Sequence, residues 1–293
     1  MLAQNLRTIA IFPLLIVLCL SLACTQPLEQ RVAKSMVSGT DVMAEMQRNA
    51  VGEKRAFQSG TLWNLSKLTG YTGDGRYAGW VTEMISLAAA NDPALRLVDS
   101  SQPQPVLPVD PGRGLLRFAN YVLAPVAQPA FRARRFIEQF ISETGEGYVL
   151  THQVLVVEWA REQGLKLPAS VDYRTQQLLK ALEREQDADL KFSDLYAERA
   201  AILIMYGNPA PAKVAAWIGL IVDAQRDDGS WGASSQTVVY DGKESFSRTS
   251  EPSHTQSWAL LALASYLKHR HTRWIGGDST AGGARRPEKG VNS

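Results

Sequence analysis

Between residues 136 and 270 one pattern recurs three times. An apolar helix ends in Glu or Gln, an acidic or glycine-bearing turn closes on an aromatic, and a second helix follows that is apolar on most faces. The copies are "FIEQFISETGEGYVLTHQVLVVEWA" (136–160), "LLKALEREQDADLKFSDLYAERAAILIMYG" (178–207) and "LIVDAQRDDGSWG" (220–232), the last joined through a polar loop to "SHTQSWALLALASYL" (253–267). The closing aromatics are Tyr148, Phe192 and Trp231. A helix that is apolar nearly all round cannot be buried by its own hairpin, so the copies must pack on one another. The first helices keep a polar stripe, as in "YRTQQLLKALERE". The pattern therefore predicts stacked hairpins with apolar inner helices and amphipathic outer ones, a ring or a solenoid.

The rest of the chain has the same helical character. "DVMAEMQRNAV", "RAFQSGTLWNLSKLTG" and "YAGWVTEMISLAAA" carry apolar residues at helical spacing, the last two joined by "YTGDG". A Pro-rich stretch at 98–114 leaves no room for regular structure, and "LLRFANYVLAPVAQPAFRARRFIEQFIS" resumes the helices with interruptions at Pro125 and Pro129. The one strand candidate is "TVVY" at 237–240, and the expected class is all-α. The expected divisions are a leader at 1–23, a polar tether at 24–40, a helical domain at 41–272 and a disordered tail at 273–293 rich in Gly, Ser and charge.

Within the third copy, Leu220, Ile221, Gln225, Gly229 and Trp231 have a spacing that resembles the QW motif of squalene and hopene cyclases. The resemblance implies an α/α toroid shared with protein prenyltransferases. It also implies a structural role for Gln225, Gly229 and Trp231: the glutamine ties the end of an outer helix to the start of the next helix, and the tryptophan stacks on it. Glutamine has both a donor and an acceptor for such a tie, and glycine permits the tight turn. The other two copies are degenerate in this motif. "GYTGDGRYAGW" also resembles the inter-helix turns of six-hairpin sugar-active enzymes, which leaves a six-hairpin α/α barrel as the alternative ring.

The resemblance does not bring its catalysts with it. The cyclases protonate their substrate through an Asp-x-Asp-Asp segment, and the chain has only "DAD" at 187–189 and "DD" at 227–228, both in turns. The prenyltransferases need a zinc-binding Asp, Cys and His, and the chain has no cysteine after Cys24. Superposing the three hairpins gives a different set. His152, Glu198 and His254 fall at equivalent positions near the starts of the inner helices, where they would meet at one rim of the ring. His, Glu and His suit zinc with an open position for water, and the related lanthionine cyclases hold zinc at the centre of a toroid. Three readings stand: a zinc site, a metal-free functional cluster, or polar caps on the helix ends. Tyr148, Asp194, Tyr196 and Gln256 are near in sequence and are candidates to line the same rim. Trp63, Trp80, Trp159, Trp217 and Trp258 sit at apolar helical positions and are expected in the core.

The first residues, "MLAQNLRTIAIFPLLIVLCLSLAC", have one cation, a short apolar run and small residues before Cys24. "LSLAC" resembles a bacterial lipobox, with Ser21 and Leu22 departing from the usual residues. The resemblance implies diacylation of Cys24 and a membrane-anchored protein of the bacterial cell envelope, with Thr25 favouring the outer membrane; ordinary secretion and an uncleaved anchor are the alternatives. The formal net charge of +2 gives no footprint for nucleic acid. Two functions follow as expectations. One is a binding or scaffold module of the envelope with an apolar or glycan ligand. The other is a metal-dependent or acid/base hydrolase or lyase acting on an envelope lipid or glycan through His152, Glu198 and His254.

Overall fold

The structure is a computed structural model that describes residues 26–89, 92–103, 110, 112–233, 235–240, 244–249 and 251–270. Its elements in chain order are α1 (Leu28–Gly52), α2 (Ser59–Thr72), α3 (Gly75–Leu87), a 3-10 turn (Pro93–Leu97), α4 (Gly114–Ala127), α5 (Ala130–Ser142), α6 (Tyr148–Glu162), α7 (Ala169–Ala188), α8 (Asp194–Tyr206), α9 (Pro211–Asp223), β1 (Ser235–Tyr240), β2 (Glu244–Thr249) and α10 (Pro252–His269). The described chain is helical apart from one antiparallel hairpin, in which Val238 pairs with Phe246. That hairpin contains the "TVVY" strand candidate and inserts between the third outer helix and its inner partner.

Inner and outer helices differ as their composition requires. Every residue of α10 from Ser253 to Tyr266 is buried, and α8 is buried throughout Tyr196–Met205. Their outer partners bury a single stripe: Val171, Thr175, Leu178, Leu179, Leu182 and Gln186 on α7, and Val214, Trp217, Ile218 and Ile221 on α9. α10 packs most extensively on α8 and α2; α6 lies against α4 and α8; the 3-10 turn touches both α2 and α4. Trp63 of α2 lies 5.8 Å from Trp159 of α6 and 5.9 Å from Trp258 of α10, ring centre to ring centre, joining three inner helices. Trp63, Trp159, Trp217 and Trp258 are buried in the core as expected, whereas Trp80 is half-buried.

One expected boundary is corrected. The segment 24–40 is not a tether over its length, because α1 starts at Leu28 and buries Val32, Ser35, Gly39 and Thr40. Ser35, Gly39 and Thr40 are small or polar, so their hydropathy gives little sign of burial, yet they let α1 approach closely. A Cβ on Gly39 would lie 2.7 Å from Cζ3 of Trp231. Pro125 sits inside the last turn of α4, and α5 starts directly after Pro129. Cys24, the leader and the 273–293 tail lie outside the described residues.

Candidate functional site

Three inner-helix starts meet at one end of the array, each set by its local sequence. α6 begins after Gly147, whose φ of 55° is in the left-handed region that favours glycine. α8 begins after Ser193, whose hydroxyl accepts the Tyr196 N–H at 3.0 Å. α10 begins with Pro252, whose fixed φ suits the first helical turn. The start of α2 joins them, with Gly60 against the His254 ring.

The side chains at these starts form one buried polar cluster. Asp194, the first residue of α8, is fully buried. It accepts the Tyr148 hydroxyl of α6 and the Nδ1 proton of His254, which is 2.9 Å from Oδ1 and 3.1 Å from Oδ2. Trp258, one turn along α10, donates its indole N–H to His254 Nε2 at 3.2 Å. Glu198 follows Asp194 by one turn and is also fully buried, with Oε1 3.8 Å from His152 Nδ1. His152 Nδ1 lies 2.8 Å from the Tyr148 carbonyl, which only accepts, so Nδ1 carries a proton. The His152 and His254 side chains are 19% and 11% exposed, and solvent reaches the cluster through them.

The electrostatics favour a charged Asp194. Burial pushes its carboxyl up, but the hydrogen bonds it accepts from His254, Tyr148 and Thr255 outweigh burial and hold it below the ordinary aspartate range. The N-terminal end of α8 adds a favourable dipole. The indole N–H is a donor only, so His254 Nε2 accepts and the ring's one proton sits on Nδ1, facing Asp194. His254 is thus a neutral ring committed on both sides.

All three sequence-derived residues arrive at this end, but not as one set. The group with metal-like spacing is Asp194, Glu198 and His254, whose ligand atoms lie within 4.8 Å of one another among the described residues. His152 pairs with Glu198 instead. A zinc ion with bonds of about 2 Å could draw such a group together, yet His254 does not fit. A metal on Nδ1 would move the ring proton to Nε2, where it would face the Trp258 N–H. A metal on Nε2 would displace that N–H.

The turn that resembles the QW motif makes its tie by another route. Gln225 Nε2 donates to the Ser35 carbonyl of α1 at 3.0 Å and to the Gly229 carbonyl at 2.9 Å. The link to α10 comes from Gln256, whose Oε1 accepts the Trp231 N–H at 3.2 Å and whose Nε2 donates to the Gly39 carbonyl at 2.9 Å. Trp231 donates its indole N–H to the Ile221 carbonyl at 2.7 Å, which anchors it to α9. The other hairpins make comparable ties from the early turns of their second helices. Gln153 donates to the Phe140 and Glu143 carbonyls at the end of α5, and Arg199 grips Glu185, Gln186 and Asp189 at the end of α7. Gly229 has φ of 85°, and a Cβ there would lie 2.8 Å from the Ser38 carbonyl oxygen. Gly229→Ala is expected to lower stability by more than the ~1–2 kcal/mol of a left-handed non-glycine residue, measured by urea unfolding.

The acidic pairs set aside on sequence divide in two. Asp187 accepts from Lys213 and the Trp217 indole, and Asp189 pairs with Arg199, whereas Asp227 and Asp228 are exposed. No protein-family model, curated protein or solved structure matches the chain.

Proposed function

We propose that this chain is an α/α-toroid protein of the bacterial envelope, tethered through a lipid on Cys24. It acts as a binding or scaffold module for an apolar or glycan partner, and its polar cluster holds the inner helices in place. The toroid reading is supported by three inner–outer pairs, by inner helices that start at one end, and by the run of neighbours from α10 through α2, the 3-10 turn and α4 to α6 and α8. The functional reading is carried by one observation: both Asp194 oxygens and both His254 nitrogens are engaged inside the protein. This leaves His254 with neither a base nor a metal ligand to offer. Elemental analysis of the purified full chain tests it. The expected result is no stoichiometric metal, unchanged by His254→Ala. One zinc per chain, lost in that variant, would overturn the reading.

A second reading has its own support. Glu198 is fully buried 3.8 Å from His152, whose ring reaches solvent. A carboxyl so removed from water needs a proton or a cation beside it, and such a pair can exchange protons with a substrate. In this reading the chain is a metal-free hydrolase or lyase of an envelope lipid or glycan, with His152 and Glu198 as acid and base. Turnover of envelope glycan by the parent chain, reduced about 100-fold or more by either His152→Asn or Glu198→Gln, would establish it. Absence of turnover in all three chains supports the binding module.

A further inference from the structure

The end of the array opposite the polar cluster carries an exposed basic and aromatic patch. Phe131, the second residue of α5, is 71% exposed. Arg132 stacks over its ring at 5.6 Å and donates to Gln128 at 3.0 Å. Arg134 and Arg135 are exposed and their side chains make no ion pair or hydrogen bond among the described residues, although Glu138 is one turn away. The first turn of α5 has no acidic residue. Of the three arginines only Arg132 lies in that first turn, where a cation opposes the helix dipole; Arg134 and Arg135 follow Phe131 at helical spacing on the same exposed face.

Their position in the fold supplies an occupant. The C-terminal end of α5 is gripped by Gln153 in the first turns of α6, so α5 starts at the end away from the cluster. α1 also starts there, because Glu29 meets Tyr266 and Arg270 at the C-terminal end of α10. α1, with 27 residues before it in the sequence, therefore begins at the end that carries the arginines. Those residues include the apolar run 9–23.

We propose that this end docks on an anionic bilayer, with Phe131 entering the interface and Arg132, Arg134 and Arg135 on lipid phosphates, so that the polar cluster faces away from the membrane. Arginine suits phosphate oxygens, and each basic residue near an anionic surface adds to binding. The docking requires no acylation of Cys24 and is separate from the proposed role of the cluster.

The test uses the full chain with Cys19→Ser and Cys24→Ser. A single environment-sensitive fluorophore is placed on Phe131→Cys or, as control, on Leu190→Cys, an 82% exposed position beyond the cluster end of α7. The probes are vesicles of phosphatidylcholine, with and without phosphatidylglycerol. The expected result is a blue shift at position 131 on the phosphatidylglycerol vesicles, with position 190 silent. Arg134→Glu with Arg135→Glu should weaken vesicle binding about ten-fold or more, while the two lysine replacements retain it. A shift at position 131 that is equal on neutral vesicles and indifferent to charge reversal overturns the proposal, as does a response at position 190 alone. Silence at both positions also overturns it, and in a chain that elutes as a dimer assigns the patch to a second copy.

Discussion

Asp194→Ala is expected to destabilise the protein by about 3–5 kcal/mol, because two buried hydrogen bonds to a charged carboxylate are lost at about 1.5–3 kcal/mol each. The variant leaves the Tyr148 hydroxyl and the His254 Nδ1–H buried without their acceptor, and it unlinks the starts of α6, α8 and α10. A loss of this size lowers the melting temperature by about 10 °C or more in a chain of this length, measured by thermal unfolding at neutral pH. Asp194→Asn should lie between, since its one carbonyl still accepts while its amide presents two donors to a site already rich in them. The acid side gives an independent check. The folded carboxyl is held below its unfolded value, so its contribution is present above the ordinary aspartate range, about pH 4, and is lost as pH falls through the folded value. The alanine and asparagine variants should lack that part of the acid-induced loss. A loss below about 1 kcal/mol on removing the carboxyl would contradict a helix-locking role.

Trp231→Ala is the second large effect, expected at about 3–5 kcal/mol. The ring is 4% exposed and packs against Gly39 of α1, and its indole N–H satisfies a carbonyl of α9. Trp231→Phe keeps much of the volume and loses the hydrogen bond, so it should cost about 1–3 kcal/mol. The contact with Gly39 predicts non-additivity. Gly39→Ala places a methyl against the indole in the parent protein but against vacated space in Trp231→Ala, so its effect should shrink in the double variant. Additive losses in urea unfolding would show that the ring does not depend on the small residue opposite it.

The inner helices were legible because apolar residues that continue round a helix permit one placement only. The rims were legible because hairpin repeats put equivalent residues at equivalent heights, which brought His152, Glu198 and His254 to one end. Sequence places Asp194 near that rim but does not mark it as the hub. An aspartate one residue after a capping serine usually faces water, and only the arrival of Tyr148 and His254 from other hairpins makes it the hub. The buried half of α1 was hidden because Ser35, Gly39 and Thr40 contribute closeness of approach, which hydropathy does not register. The tie near Gln225 differed because α1 lies alongside that turn, and its Ser35 carbonyl became the nearer acceptor.

The most direct measurement is the protonation of His254 by nitrogen NMR of the imidazole in the full chain. The expected spectrum at neutral pH shows a protonated Nδ1 and an unprotonated, hydrogen-bonded Nε2, unchanged by a chelator or by one equivalent of zinc. A ring protonated on Nε2, or one whose nitrogens shift when zinc is added, would contradict a metal-free cluster built on Asp194, His254 and Trp258.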